Sequence, residues 1–412
     1  MKHFNPPCDY HELARIYGTP LYLYDLDYMD SQYNLIKSSF KGFKSLICYA
    51  LKANSNLSLL KSIANLGSGA DCVSLNEIKR ALIAGIPNYK IIFSGVGKED
   101  YELEEALRLG ILFINVESEM ELMRLEKLVA DSKGAPARIS LRVNPEVEAK
   151  THPYISTGLR DSKFGLDIQT SKRLYLYAHK SAHLNPIAIH HHIGSQILDK
   201  APLLDAANKI LDLARGLLSA GLEIKFFDLG GGFGISYGEE DPLDIAGYLS
   251  GIIRKIDSLD LTAICEPGRS IVGNAGALLS RVIGEKLTDS KNFLIVDSAM
   301  TELLRPSLYE AYHHISKVWG SKSSSYRIYD VVGAVCESGD YLAKARRLPV
   351  CESGDLILIE SSGAYGYSMA SNYNSRLRPA EVGLRGGKHF LIRDREDFES
   401  SLKNEIKYLD RY

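Results

Sequence analysis

Between residues 45 and 266 the chain alternates short, continuous apolar runs with amphipathic stretches of helix length. Eight apolar runs occur, and they read SLICYALK, SGADCVS, KIIFSG, ILFINVES, ARISLRVNP, IAIHHHIGS, IKFFDLGGG and LTAICEPG. Continuous apolar runs are typical of parallel strands that are buried on both faces. Eight strand–helix units in succession therefore predict an α/β fold, a closed (β/α)8 barrel of the TIM type.

Two of the amphipathic stretches begin with a serine that is followed three residues later by a glutamate. Ser74 precedes Glu77 in this way, and Ser118 precedes Glu121. The spacing is that of a capping box, in which side-chain oxygens accept hydrogen bonds from the free backbone N–H groups of a helix's first turn. It predicts that helices start at both serines.

Beyond about residue 275 the apolar runs are separated by Gly, Ser and Pro turns, which predicts a β-rich domain of the sandwich or barrel kind. The N-terminal segment TPLYLYDL alternates apolar and polar residues and could join the same sheet. We therefore expect a (β/α)8 barrel over residues 26–275 and a discontinuous β-rich domain made of residues 1–25 and 276–412. The charged segment 393–412 is expected to form an exposed helix.

Charge, hydropathy and cysteine content argue against a nucleic-acid-binding protein, a membrane protein and a secreted protein with disulfides. Because 49 basic residues nearly balance 51 acidic ones, the chain offers no long-range field to a nucleic acid or an anionic membrane. No apolar run reaches membrane-spanning length, and the first residues lack the apolar core of a secretory signal. The six cysteines include no C-x-x-C pair, which predicts reduced thiols rather than disulfides or a zinc site. We expect a cytoplasmic enzyme without a metal.

Several polar residues stand where the apolar runs end, and in a barrel these positions meet at the active-site face. Lys52 ends the first run, Asp71 the second, His192 the sixth and Glu266 the eighth. An ammonium at the end of a buried strand is partly desolvated, and desolvation lowers a lysine pKa toward the range that a Schiff base needs. A lysine that extends its ammonium to solvent is the alternative, and position alone favours it.

A triple glycine, Gly230 to Gly232, follows the seventh run. Loops after the seventh and eighth strands of such barrels often bind phosphate through exposed N–H groups, and glycine lets the backbone approach the anion closely. A turn that needs positive φ is the simpler alternative. His190 and His192 share one strand face and could ligate a metal with the carboxylates of Asp71 and Glu266, as in a metal-dependent hydrolase. A histidine at a strand end is more often hydrogen-bonded or stacked.

A lysine, a carboxylate, a flat imidazole and a phosphate-binding turn are together what pyridoxal 5′-phosphate requires. The lysine forms an aldimine with the cofactor's aldehyde, and the carboxylate keeps the pyridine nitrogen protonated. The imidazole stacks on the ring, and backbone N–H groups bind the phosphate. Such a ring withdraws electrons from the substrate, which suits reactions that leave a carbanion at Cα, including loss of CO2.

Seven motifs follow one another along the chain, and they include these residues. They are YALKAN (49–54), HIGSQ (192–196), DLGGG (228–232), EPGR (266–269), RPSLY (305–309), CESGD (336–340) and GAYG (363–366). In this order they resemble the motifs of diaminopimelate decarboxylases, which are alanine-racemase-like (fold type III) pyridoxal-phosphate enzymes. His191 stands where other residues are usual in that family, Ala299 where glycine is common and Ala334 where proline is common.

The resemblance implies a homodimer with shared active sites that converts meso-2,6-diaminopimelate to L-lysine and CO2, the last step of lysine biosynthesis. It implies that Lys52 forms the internal aldimine and that Cys336, reaching in from the other subunit, protonates the quinonoid carbanion. From the residues alone, Cys336 could equally be a small buried hydrophobe. The implied cofactor contacts are Lys52, Asp71, His192, Ser195, Gly231, Gly232, Glu266, Pro267, Gly268, Arg269 and Tyr365. The implied substrate contacts are Arg269, Arg305, Tyr309, Glu337 and Tyr365.

Substrate choice follows from the distal end of diaminopimelate, which carries a carboxylate and an ammonium. Arginines at 269 and 305 suit the carboxylate, and Glu337 suits the ammonium. A substrate without that carboxylate would leave buried guanidinium unpaired at a cost of about 2–5 kcal/mol. The alternatives are a decarboxylase of ornithine, arginine or carboxynorspermidine on the same fold, and a non-catalytic regulator that binds pyridoxal phosphate. Retention of Lys52, Cys336 and both arginines argues against the regulator.

Overall fold

The computed structural model describes residues 4–148, 163–318 and 325–411, and the chain divides into two compact units. The first, which we call the barrel unit, comprises Asp30–Ile235 and Asp241–Ile271. The second, the sheet unit, comprises Met1–Met29, Ser236–Glu240 and Val272–Tyr412. The first elements along the described chain are α1 (Tyr10–Tyr17), β1 (Leu21–Asp25) and α2 (Leu26–Ser39).

The barrel unit contains eight parallel strands that pair in sequence order. They are β2 (Ser45–Ala50), β3 (Gly69–Cys72), β4 (Ile91–Phe93), β5 (Phe113–Val116), β6 (Ala137–Arg142), β7 (Leu184–His190), β8 (Phe226–Asp228) and β9 (Thr262–Cys265). Because β2 pairs with β9 as well as β3, the sheet closes on itself. All residues of β3, β4 and β5 are buried, as their continuous apolar sequences require. Each predicted run supplies one strand, which confirms the barrel.

Helices connect the strands of the barrel. They are α3 (Leu57–Asn65), α4 (Leu75–Ile83), α5 (Asp100–Leu109), α6 (Glu119–Ser132), α7 (Ile168–Lys180), α8 (Lys200–Ser219) and α9 (Ile245–Asp257). Of the helices within the described ranges, none has the length and apolar surface that a membrane-crossing segment needs.

The two predicted helix starts are confirmed, with one change in the capping pattern. The Ser74 Oγ accepts a hydrogen bond from the backbone N–H of Glu77, and the Ser118 Oγ accepts one from that of Glu121. A capping box returns the glutamate side chain to the N-cap residue itself. Here it reaches one residue further back, since the Glu121 carboxylate accepts from the backbone N–H of Glu117 at 2.9 Å.

The sheet unit is built mainly from strands, as its turn-rich sequence predicts. The helix α10 (Arg269–Val272) begins in the barrel unit and ends at the first residue of the following sheet-unit segment. The elements after it are β10 (Gly276–Leu287), β11 (Asn292–Val296), α11 (Arg305–Tyr309), β12 (Ile315–Lys317), β13 (Tyr326–Val332), β14 (Tyr341–Pro349), β15 (Leu356–Ile359), β16 (Ala380–Arg385), β17 (Lys388–Arg393) and α12 (Phe398–Leu402). The strand order is β14-β13-β11-β10-β1-β16-β17, and β15 pairs with both β10 and β12.

The N-terminal strand lies inside this sheet, as its alternating sequence predicts. β1 pairs antiparallel with β10 and parallel with β16, so that Leu21 stands opposite both Leu279 and Ala380. Leu21 and Leu23 belong to an apolar cluster with Leu279 and Val382, all of them buried. Burial of apolar surface therefore fixes a segment from one end of the chain to strands from the other.

The predicted helix over residues 393–412 is wrong in extent. Arg393 ends β17, α12 covers Phe398–Leu402, and a 3-10 turn follows at Ile406–Arg411. The apolar residues of this segment, Phe398 and Ile406 among them, remain exposed. Short helices are marginal unless they bury an apolar face, which explains why the helical segment is brief.

Candidate active site

Lys52 and Asp71 lie side by side at the C-terminal ends of two neighbouring strands. Lys52 is in a single 3-10 turn that directly follows β2, and Asp71 is in β3. The Lys52 Nζ is 3.5 Å from the Asp71 Oδ2, and the side chains are 39% and 0% exposed. Burial raises the pKa of the Asp71 carboxyl, nearby Glu266 adds to the rise, and Lys52 opposes it. The site thus offers an accessible amine beside a buried carboxyl.

A second carboxyl, Glu266, follows β9 and is buried against Asp228 and His190. The His190 Nε2 is 3.3 Å from the Glu266 Oε2, and the Asp228 Oδ1 accepts a hydrogen bond from the Gly230 N–H at 2.9 Å. Burial raises the pKa of both carboxyls, and their proximity adds to the rise for Asp228. Two buried carboxyls that interact cannot both ionise easily, so the pair retains a proton to higher pH.

His190, Asp228 and Glu266 place one potential ligand atom each within 4.8 Å of one another. This set shares His190 and Glu266 with the metal alternative but contains Asp228 in place of His192 and Asp71. Burial lowers the pKa of His190 to about 3, so its imidazole is neutral at physiological pH. Asp228 begins the DLGGG motif, but it was not predicted from the sequence to be a site residue. An aspartate before a glycine turn does not by itself indicate a chemical function.

His192 is held by the glycine turn. The Gly231 N–H donates to the His192 Nδ1 at 3.2 Å, so the ring carries its proton on Nε2 when neutral. Burial lowers the pKa of His192 well below its usual range, which keeps the imidazole uncharged. A neutral ring of fixed orientation suits stacking against another flat ring.

The three glycines are required by the local backbone itself. Gly230 and Gly232 have φ values of 63° and 91°, which L side chains rarely adopt. A Cβ at Gly231 would lie 2.2 Å from the Glu266 carbonyl oxygen. The prediction of a turn that needs positive φ is therefore confirmed at Gly230 and Gly232. At Gly231, glycine is required by the close approach of the Glu266 carbonyl. Neither explanation conflicts with phosphate binding by the same N–H groups.

The loop after β9 packs on the turn that carries Lys52. The Pro267 carbonyl accepts a hydrogen bond from the Ala50 N–H at 3.1 Å, and a Cβ at Gly268 would lie 3.0 Å from that of Ala53. The next residue, Arg269, is buried and donates through Nη2 to the Ser195 Oγ at 3.0 Å. The implied cofactor residues of the barrel unit thus gather around the ends of its strands.

Sequence reasoning missed Arg142, although it is the one charged residue near the end of the run ARISLRV. Its Nη1 is 3.0 Å from the Glu117 Oε1, and both side chains are buried at the ends of β6 and β5. Its positive charge contributes to the low pKa of His190 and His192. The ion pair therefore helps to keep the imidazoles of the site neutral.

In the sheet unit, α11 holds Arg305 and Tyr309, and a loop between β13 and β14 carries Cys336 and Glu337. The Ser307 Oγ of α11 donates to the Gly339 carbonyl at 2.7 Å, which joins helix and loop. Cys336 is exposed, so the alternative prediction that it is a small buried hydrophobic residue is wrong.

Three further hydrogen bonds shape this loop and its neighbourhood. The Cys336 N–H donates to the Asn374 Oδ1 at 2.8 Å, and the Asp340 carboxylate accepts from the backbone N–H groups of Val335 and Met300. Tyr365 has a left-handed backbone with φ of 57°. The hydrogen bonds fix the backbone of the Cys336 loop within the sheet unit.

The chain matches the family model for the pyridoxal binding domain of pyridoxal-dependent decarboxylases over residues 26–273. It is 51% identical to the diaminopimelate decarboxylase of Helicobacter pylori J99 over 98% of this chain and 99% of the relative. It belongs to the diaminopimelate decarboxylase family. The family member from Campylobacter jejuni is 50% identical over 97% of this chain and 99% of its own. The crystal structure of the H. pylori enzyme complexed with L-lysine has a TM-score of 0.94, 51% identity, and coverage of 97% of this chain and 100% of that one.

The cofactor of diaminopimelate decarboxylases is pyridoxal 5′-phosphate, and the strand-end residues of this member fit it. The Asp71 Oδ1 and the Glu266 Oε1 are buried acceptors without a hydrogen-bond partner among the described residues. Buried acceptors of this kind are costly unless a bound group satisfies them. The amine of Lys52, the neutral His192 and the glycine turn supply the other groups that the cofactor needs.

The burial of His191 predicts a pH-dependent loss of stability. His191 is buried edge-to-face on Phe227, and neither ring nitrogen has a hydrogen-bond partner in the described part of the chain. Burial lowers its pKa to about 3. Between about pH 6.5 and pH 3, His191 is protonated in the unfolded chain but stays neutral in the folded protein. The free energy of unfolding therefore falls as pH decreases, by about 2 kcal/mol from this residue at pH 5.

The variant His191→Phe should lose less stability between pH 7 and pH 5 than the wild type, as measured by urea unfolding at each pH. His179→Phe, at an exposed position on α7, is the matched control and should follow the wild type. Parallel pH profiles for all three proteins would contradict the assignment to His191.

Proposed function

We propose that this chain decarboxylates meso-2,6-diaminopimelate to L-lysine and CO2 with pyridoxal 5′-phosphate as cofactor. The observation that carries the proposal is identity of about one half to diaminopimelate decarboxylases along nearly the whole chain, with the reactive groups of the barrel unit gathered at one face. When bound, the cofactor supplies an electron sink that permits the loss of CO2. A cytoplasmic location is inferred as well, since the six cysteines are free thiols.

In this proposal the barrel, residues 26–275, holds the cofactor. Lys52 would bind it covalently, and His192 would stack on its ring. Glu266 would hold a proton on the ring nitrogen, and Asp71 would lie near the amine of Lys52. Support comes from burial, because a carboxyl in a site of low polarity forms a strong hydrogen bond to a charged N–H.

The phosphate is assigned to Ser195, to Gly232 and to the backbone of Gly268 and Arg269, with help from Tyr365. Gly231 and Pro267 are assigned as the remaining cofactor contacts of the same loops. Gly232 supports the assignment because a Cβ there would meet the Gly194 carbonyl at 2.2 Å, so two loops already approach closely at this point. The Arg269 guanidinium, hydrogen-bonded to Ser195, adds positive charge beside them.

The substrate is assigned to Arg269, Arg305, Tyr309, Glu337 and Tyr365, four of which come from the β-rich domain of residues 1–25 and 276–412. An arginine binds a carboxylate through two parallel hydrogen bonds, so it selects substrates that carry one at the distal end. Glu337 is assigned to the distal ammonium. Diaminopimelate carries both groups, whereas ornithine lacks the carboxylate.

Cys336 is assigned as the proton donor to the substrate carbon after CO2 has left. In a single chain its thiol is exposed, which supports a role in the active site of a second subunit of a homodimer. The backbone around it is held by hydrogen bonds from the Cys336 N–H to the Asn374 Oδ1 and from the Val335 N–H to the Asp340 carboxylate. A thiol that transfers a proton to carbon must be held at a defined distance from it.

Substrate selectivity tests the function directly. We expect CO2 release from meso-diaminopimelate to exceed that from ornithine, arginine and carboxynorspermidine by at least about 100-fold in kcat/KM, because those substrates leave an arginine unpaired. The measurement is initial-rate CO2 release with equal cofactor loading. Faster turnover of ornithine would contradict the proposed substrate.

Replacement of the covalent lysine tests the cofactor assignment. The variant Lys52→Ala should lose the absorbance near about 420 nm that the wild type shows with the bound cofactor. Treatment of the wild type with borohydride should add the cofactor's mass to the peptide that contains Lys52. Lys61→Ala, exposed on α3, is the control and should keep the absorbance. Labelling of a different lysine would remove Lys52 from this role.

Subunit mixing tests the shared site. The variant Cys336→Ala should lose about 10²–10⁴-fold in turnover while still binding the cofactor, since it lacks a proton donor. Mixed with inactive Lys52→Ala chains, it should recover up to about a quarter of wild-type activity, because half of randomly formed dimers contain one intact site. Cys8→Ala serves as control for the loss of a thiol. No recovery on mixing would place both residues of a site in one chain.

A further inference from the structure

Arg305, assigned above to the substrate, is held between two rings of the sheet unit. Its side chain is 6% exposed. Its Nη1 is 2.9 Å from the Nε2 of His313, and its guanidinium carbon is 4.6 Å from the centre of the Tyr237 ring. The two rings also contact each other edge-to-face, with centres 5.3 Å apart.

The hydrogen bonds of His313 define its tautomer. Its Nδ1 is 2.9 Å from the backbone carbonyl oxygen of Glu360, and a carbonyl can only accept. The Nδ1 therefore carries the proton, and the Nε2 presents a lone pair to Arg305. Since a guanidinium can only donate, the two contacts are consistent with a neutral imidazole alone.

A neutral acceptor and an aromatic face orient an arginine in a particular way. Neither of these two contacts carries a full negative charge, so neither of them neutralises the guanidinium. Both contacts restrict the rotation of a long side chain. Binding to a pre-oriented group costs less conformational entropy than binding to a mobile one.

We propose that His313 is a positioning residue that, with Tyr237, directs Arg305 at the carboxylate that remains in the product. The proposal rests on the proposed function, which assigns Arg305 to the substrate. Only one carboxylate of diaminopimelate is lost, so L-lysine keeps the distal carboxylate. Cadaverine carries the same chain and two amino groups but no carboxylate. The difference in affinity between the two compounds therefore measures the contact between Arg305 and the carboxylate.

The test compares holoenzyme variants in their affinity for L-lysine and for cadaverine, measured by calorimetry and as competitive inhibition. His313→Phe keeps the volume of the ring and removes both hydrogen bonds. We expect it to weaken L-lysine binding by about tenfold, with cadaverine binding changed less than about twofold. The KM for meso-diaminopimelate should rise in parallel, and kcat should change less. His314→Phe, at the half-buried neighbouring position, is the matched control and should resemble the wild type.

Two further variants keep the result decisive. His313→Gln retains an acceptor and a donor, so it should show an intermediate loss for L-lysine, and it replaces the phenylalanine variant if that one fails to fold. Arg305→Lys removes the planar guanidinium and should weaken L-lysine binding at least as much as His313→Phe does. Cofactor absorbance and melting temperature are recorded for each variant to show that the holoenzyme is intact.

Three outcomes would overturn the inference. If Arg305→Lys weakens the binding of L-lysine more than that of cadaverine and His313→Phe does not, His313 has no positioning role. The assignment of Arg305 to the substrate would then stand. Equal losses for L-lysine and cadaverine in His313→Phe would indicate general damage to the pocket. If neither variant discriminates between the two compounds, Arg305 does not bind the carboxylate. Failure of the proposed function is separate, because it would appear as wild-type protein that releases no CO2 from meso-diaminopimelate.

Discussion

Closure of the barrel is the constraint on which the rest of this molecule depends. Eight parallel strands end at one face, so the polar side chains that end them are removed from water together. Asp71, Asp228 and Glu266 are buried there, and burial raises the pKa of each carboxyl. Such groups are stable only if charges and hydrogen-bond donors compensate them, and Lys52 is one of those charges. The reactive character of the site follows from this balance.

The histidines show the opposite effect of the same burial. Loss of solvent lowers the pKa of His190, and the buried Arg142 beside Glu117 reinforces the change. Imidazoles in this site are therefore neutral, suited to stacking or to accepting a hydrogen bond rather than to carrying charge. In the sheet unit, His313 likewise accepts a hydrogen bond, from Arg305, so a neutral histidine is a hydrogen-bond acceptor in both units.

Sequence reasoning identified the site where the polar residue ended an apolar run. Lys52, Asp71 and Glu266 were found in this way because a buried parallel strand leaves a continuous apolar signal and its end is marked by the first polar side chain. Arg142 was missed because it lies within its strand, and His313 because a histidine beside a short strand gives no signal of what it contacts. The helix predicted over residues 393–412 was too long because periodicity does not show whether an apolar face will be covered.

The sequence by itself determined the number and order of the strands, the barrel and the strand-end chemistry, since these depend on local periodicity and on motifs that are continuous in the chain. The tertiary structure alone decided which groups share a proton or a hydrogen bond. Asp228 meets Glu266, and His313, the partner of Arg305, meets the Glu360 carbonyl, so that separate segments of the chain come together. Such pairings depend on distances of a few ångströms between residues far apart in sequence, and on the burial that makes each contact strong, and neither quantity is encoded in local pattern.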